Sequence, residues 1–270
     1  MTHTPAPRPE TTTPTVVPSI PGRIKTTGEL VIYAGNPDGA KVGKCKELGA
    51  GVMIATSAQI RVNKEWQGMR CALDNGAFRC WQRGYPFMAD TFRAQMKACH
   101  SNGISLDWIV IPDIVAGGKR SLEFSMEWVR GELRSAPRLA LAVQDGMTVR
   151  DLKDAGVMAR YPNISHVFVG GTEDWKWRTV AEWVGYAHES GRKCHVGRCG
   201  TLEHLQAAQR CGVDSVDSTS WARNDSWHII EGFLNPRQID MFATDKDTAN
   251  AHIPGRLSIL GCKVNRKGER

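Results

Sequence analysis

Apolar and polar positions along this chain fall into two alternating rhythms from residue 30 onward. Eight short runs are nearly continuous in apolar residues: 30–34, 51–55, 71–73, 108–112, 139–143, 166–169, 193–196 and 215–216. Such runs fit strands buried on both faces, as parallel strands under covering helices are. Between them, 88–100, 120–134, 149–160, 179–190 and 202–210 carry apolar residues at helical spacing. Thr148 and Thr201 stand where N-caps are wanted, and Gly103, Gly156, Gly191 and Gly212 fall near helix ends. Eight strands with intervening helices predict an α/β fold, a (β/α)8 TIM-like barrel, for which about 250 residues is ordinary. An open doubly wound sheet is the alternative. The 56–70 connection is short for a full crossover helix, so the first third of the barrel is expected to be irregular.

The ends of the chain break this rhythm. Six prolines and six threonines crowd the residues before 23, with few apolar groups to offset the entropy of ordering them. The expected division is a disordered arm at 1–28, a barrel at 29–245 and a basic tail at 246–270. Over the last fifteen residues Arg256, Lys263, Arg266, Lys267 and Arg270 face a single acid, Glu269. Lys41, Lys44 and Lys46 make a second basic group on the first predicted helix. With a net charge of +7 these favour an anionic partner, although a solvated surface explains either group alone.

No apolar run approaches the roughly 18 residues of a membrane span, so no membrane partner is expected. The eight cysteines form no C-x-x-C pair and several lie in apolar patterns, which reads as buried reduced thiols. The arm has no apolar secretion core, and a cytoplasmic location follows as the expectation, the host cytoplasm if the gene is a phage's.

Chemistry collects at the strand ends: Asp74, Asp113, Gln144 with Asp145, Gly170-Gly171, Gly197-Arg198 and Asp217. One Asp after a strand is most often a turn former or a cap. Several at the same end of one barrel build an active site, because barrel enzymes assemble theirs from those ends. Two carboxylates across a pocket suit glycosyl transfer, one attacking the anomeric carbon while the other handles the leaving group's proton. The paired glycines would let a planar ligand approach the backbone, and Gln144 offers both donor and acceptor to a nucleobase edge.

The order Leu73-Asp74-Asn75-Gly76-Ala77-Phe78, Pro112-Asp113, Val143-Gln144-Asp145-Gly146, Val169-Gly170-Gly171, Gly200-Thr201 and Gly212-Val213-Asp214-Ser215-Val216-Asp217 resembles the tRNA-guanine transglycosylase superfamily. It is most similar to the phage and bacterial DNA branch, which installs 7-deazaguanines. The resemblance covers residues 70–225 and implies roles residue by residue. Asp217 resembles the nucleophile at C1′, and Asp74 the acid/base for the departing and incoming purines. Asp113 resembles the carboxylate that accepts the base's N1–H and exocyclic amine, while Gln144 and Gly171 resemble donors to its carbonyl. The tRNA enzymes carry a C-x-C-x-x-C zinc site with a distant histidine. After Asp217 only Cys262, His228 and His252 are present, too few thiols for it, so no metal is expected and DNA is favoured over tRNA.

Cys194, His195, Cys199 and His204 are a weaker metal candidate, since Cys194 and His195 point to opposite faces of a strand. Trp175, Trp177, Trp221 and Trp227 follow rim positions. Packing accounts for at least two, and Trp221 or Trp175 is the candidate to stack on an extruded base. Arg198 and Arg223 suit phosphate or nucleobase contact, or a structural ion pair. The expectation is a DNA guanine transglycosylase that exchanges guanine for a preQ0-like base through an aspartyl-ribosyl intermediate. Its partners are DNA and the free 7-deazaguanine base, it uses no cofactor, and a homodimer is left open. A nucleoside or glycoside hydrolase, and a catalytically silent nucleic-acid-binding barrel, are the competing readings.

Overall fold

The computed structural model describes residues 29–236, Ile60 excepted. Over these residues eight parallel strands close into a barrel in sequential order, with β8 pairing back onto β1. They are β1 (Val31–Gly35), β2 (Gly51–Ile54), β3 (Cys71–Leu73), β4 (Trp108–Val110), β5 (Leu139–Val143), β6 (Ile164–Val169), β7 (Lys193–Val196) and β8 (Ser215–Ser218). The (β/α)8 architecture is therefore the fold. The arm 1–28, residues 237–245 of the barrel span and the basic tail 246–270 lie outside the described residues.

Helices cover the strands: α1 (Ala40–Glu47), α2 (Ala77–Gln82), α3 (Ala89–Ser101), α4 (Lys119–Arg130), α5 (Val149–Asp154) and α6 (Val157–Arg160). They continue with α7 (Glu173–Glu189), α8 (Leu202–Cys211), α9 (Ser220–Arg223) and α10 (His228–Leu234). Both expected threonine caps form. Thr148 makes a full capping box with Asp151, and the Thr201 side chain accepts from the His204 backbone. The irregular first third is also present: β2 and β3 are joined through a single 3-10 turn, Lys64–Trp66, rather than an α-helix. Trp66, in this turn, belongs to the outer core, buried and with its indole N–H donating to the Pro37 carbonyl at 2.9 Å.

Several boundaries differ from the periodicity. The expected 149–160 helix is two short ones, because Gly156 adopts a left-handed φ of 59°. Helix α7 begins six residues before the expected start at 179; its first turns look polar, yet Lys176 is fully buried. Strand β8 continues past Val216, since Asp217 and Ser218 pair with Tyr33 and Ala34 of β1.

Strand alternation sorts the core into two. Outward residues such as Ile32, Val52, Leu73, Leu141, Val167, Val196 and Val216 join the helices in one aliphatic layer. Inward residues Tyr33, Met53, Ala72, Trp108, Val110, Ala140 and Ala142 fill the barrel. This second layer is smaller, and a ring of aromatics dominates it. Tyr33, Trp108, Phe168, His166 and His195 meet there at centroid separations of 4.7–6.3 Å. The seven cysteines among the described residues are all free, and six are buried. No helix there is long and apolar enough to cross a membrane.

Candidate functional site

Above the aromatic ring the inward positions turn polar or very small. On β8, Ser215 and Asp217 are two residues apart and so share the inner face. On β3, Ala72 faces inward and Asp74 follows it by two positions at the carboxyl end. Asp113 comes from the segment after β4, and Gln144 follows β5 directly. Asp74, Asp113, Gln144 and Asp217 line one cavity of about 1030 Å³ at this end of the barrel. Its apolar lining includes Met53, Val110, Ala142 and Phe168.

The three carboxylates sit in different surroundings. Asp74 accepts a long 3.3 Å bond from the Gly76 N–H, while its own carbonyl takes the Thr56 hydroxyl at 2.6 Å. Burial, then the charge of Asp217, then that of Asp113 push its carboxyl from 3.8 up to about 7. Asp113 is held at both oxygens, by the Asn75 amide at 2.6 Å and by the Gln144 amide. Those bonds favour the charged form, but burial outweighs them and Asp113 rises to about 6. Asp217, 8% exposed, takes the His195 Nε2–H on Oδ1 at 3.0 Å. A Cβ at Gly197 would lie 2.8 Å from the Phe168 ring and 3.4 Å from Asp217 Oδ1, so glycine keeps this approach open.

Several expected site residues carry other duties. Gln144 lines the cavity, yet its Oε1 accepts the Ala116 N–H at 2.7 Å and its Nε2 donates to Asp113. Its first task is to orient Asp113, with one N–H left over for a ligand. Gly170 and Gly171 also line the cavity. Gly171 has a reason of its own to be glycine: φ is 69°, and a Cβ would lie 2.6 Å from both Asp145 and the Trp175 ring. Asp145 takes the Thr172 N–H and hydroxyl at 2.7 and 2.6 Å and so anchors the start of α7. Arg198 lines the cavity at a left-handed φ of 63°. Its guanidinium lies 4.3 Å over Phe78 and donates to the Gly171 carbonyl, tying the loops after β6 and β7 together.

The tryptophans are placed elsewhere. Trp221 is fully buried in the outer aliphatic core, its indole N–H has no partner among the described residues, and it does not line the cavity. Helix α9 turns it away from the rim that Asp217 reaches, so it cannot stack on a base there. Trp177 and Trp227 are buried in the same core, and Trp175 packs at its edge. The thiol–imidazole set is likewise divided: Cys194 faces the outer core, His195 the barrel interior, and His204 pairs with Glu173 at 3.2 Å. Among the described residues no cluster of three or more His, Cys, Asp or Glu is arranged to hold a metal ion.

Two residues matter more than their sequence context suggested. Asn75 spends its amide on Asp113 and the Ile111 carbonyl and takes the Ala77 N–H at 2.8 Å, which locks the turn between both acids. Its place beside Asp74 was the available signal. His195 contacts Asp217 directly, which only the closed barrel reveals. The mouth is further lined by Lys41, Arg79, Arg83 and Arg223. No protein-family model matches the chain, and no curated protein matches it either.

Proposed function

We propose that this protein is a DNA base-exchange transglycosylase that replaces guanine with a 7-deazaguanine. One observation carries the reading: Asp74, Asp113 and Asp217 come from three strand ends to one cavity, with Asp74 pushed up to about 7. A group that must give a proton and then take one back works best with such a value near neutrality. The apolar wall offered by Phe168, Met53 and Val110 suits a planar purine. Asp113, with both oxygens already oriented, keeps a lone pair on each for the N–H groups of a guanine edge. Cations on the rim suit the phosphates of a strand.

In the proposed reaction a carboxylate oxygen of Asp217 bonds to C1′ while the C1′–N9 bond breaks, its electron pair leaving with guanine. Asp74 gives its proton to the departing purine. The incoming 7-deazaguanine then yields its N9 proton to Asp74, N9 bonds to C1′, and Asp217 departs as a carboxylate. Exchange conserves the glycosidic bond energy, so no triphosphate is consumed. A base inside a duplex cannot present C1′ and its pairing edge together, so the target nucleotide is extruded or single-stranded.

The test is incorporation of labelled 7-deazaguanine into DNA. Asp217→Asn is expected to lower it by roughly a thousandfold or more while thermal unfolding stays cooperative. Near wild-type incorporation would remove Asp217 from the nucleophile's role. Turnover of free nucleosides without DNA would favour the hydrolase reading, and DNA binding without exchange the silent barrel.

A further inference from the structure

An imidazole inside a barrel of aromatics needs a reason. His195 is fully buried, stacked on Phe168 with ring centroids 4.7 Å apart and edge-on to Trp108 at 4.8 Å. An aliphatic or aromatic residue would fill that space without burying polar nitrogens. Both nitrogens are used, and both point at β8: Nδ1 meets Ser215 Oγ at 2.9 Å and Nε2 meets Asp217 Oδ1 at 3.0 Å. The strand register, which pairs His195 with Ser215, sets this arrangement. A carboxylate can only accept, so Nε2 carries a hydrogen; the Ser215 hydroxyl can donate to or accept from Nδ1 and fits either state of it.

Building on the transglycosylase reading, we infer that His195, held by Ser215, is a positioning residue that fixes the attacking oxygen of Asp217. With Oδ1 bound to the imidazole, Oδ2 is the oxygen left to form the bond to C1′. His195 exchanges no proton in either half-reaction. Its N–H also stabilises the negative charge that returns to Asp217 when the ester breaks, so it favours departure of the nucleophile in the second step. A bond that holds one oxygen in place serves the rate of both steps more than substrate affinity.

Three variants separate positioning from packing. His195→Phe keeps an aromatic ring beside Phe168 and removes the donor; His195→Gln keeps an N–H; Ser215→Ala releases Nδ1. Single-turnover exchange should fall about 100-fold in His195→Phe with KM within about twofold of wild type. His195→Gln should recover about tenfold of that loss, and the ester should persist longer in His195→Phe than in wild type. A His195→Phe rate within about threefold of wild type would overturn the inference, as would equal rates for Phe and Gln. Should the Phe variant fail to fold, Ser215→Ala decides: a fall in kcat at unchanged KM supports the role, and unchanged kcat overturns it. A wild-type protein that exchanges no base defeats the parent reading instead. The contact itself is then read by NMR, where Asp217→Ala should abolish the downfield Nε2–H resonance; its survival unchanged would dispose of the pair.

Discussion

Charge is handled in opposite ways on the helical shell and at the mouth. On the shell, cations and carboxylates come together: Arg93 with Asp90 and Glu132, Lys119 with Asp151, Arg150 with Asp154, Lys153 with Glu189. At the mouth they are kept apart. Four carboxylates, Asp38, Asp74, Asp113 and Asp217, share one cavity, and Lys41, Arg79, Arg83, Arg198 and Arg223 line it, yet none of these cations pairs with a carboxylate among the described residues. Pairing them would have been easy on a surface of this composition. Holding like charges together raises the free energy of the fold, and folds retain such arrangements where a site needs them. The shell's exposed pairs contribute little; in the proposed reaction the mouth's separation carries the chemistry.

Asp74→Asn is the sharpest way to break that contrast. In the proposed reaction it removes the proton carrier, so exchange should fall by roughly 100- to 10,000-fold. The same change should stabilise the protein, which no shell carboxylate would do on losing its partner. Folded Asp74 binds its proton more tightly than the unfolded chain does, 7 against 3.8. Stability from this group is therefore full below the unfolded value and is lost as pH rises through about 7. The variant should gain about 1–3 kcal/mol at pH 8, less than the whole shift implies because the side chain is partly open to water. Near pH 4 the gain should vanish. Thermal melts at both pH values check it, and an unchanged difference between them would contradict the proposed crowding of acids.

A smaller effect is expected at the rim. Lys41, Arg79, Arg83 and Arg223 should each meet one phosphate, contributing roughly 0.7 to the salt slope of single-strand binding. Replacing all four by Gln should make a plot of log K against log salt shallower by about 3. Replacing the shell cations Arg150 and Lys153 should leave it unchanged. Exposed Tyr85 and Met88 border a recess of about 190 Å³ that shares Arg79 and Arg83 with the mouth, so a strand running over this side would meet apolar as well as charged surface. Equal slopes for the rim and shell variants would mean that the separation of charge has nothing to do with nucleic acid.

Periodicity revealed the barrel because parallel strands buried on both faces leave continuous apolar runs, as in Leu139–Val143. The same rule hid the end of β8, where Asp217 and Ser218 are polar yet paired in the sheet. The carboxylates were legible for a related reason, since a polar residue ending an apolar run must emerge at a rim. What they touch was not. Gln144 reads as a free recognition group until the fold brings Asp113 and Ala116 to its two ends. His195 sits 22 residues from Asp217 in sequence, and only adjacent strands make them neighbours. Asp145 shows the converse, a carboxylate at a strand end that serves a helix instead.

Trp221 provides the smallest predicted change and the finest division between mouth and shell. It lies four residues after Asp217, close enough in sequence to read as part of the site. A strand residue at that offset would share the inner face with Asp217, but β8 ends at Ser218 and α9 carries the indole outward into the aliphatic layer. Its N–H is buried without a partner among the described residues, so the ring serves by volume alone. Trp221→Phe should therefore leave base exchange within about twofold of wild type and cost about 1–2 kcal/mol of stability through lost volume. Trp221→Ala should cost roughly 3–5 kcal/mol. Stacking on an extruded base predicts the reverse ranking, with binding weakened by about 1–3 kcal/mol in the Ala variant and little change in melting temperature. Comparing melts with strand affinity for both variants distinguishes the two, and a residue four positions from Asp217 falls on the shell's side if volume alone decides.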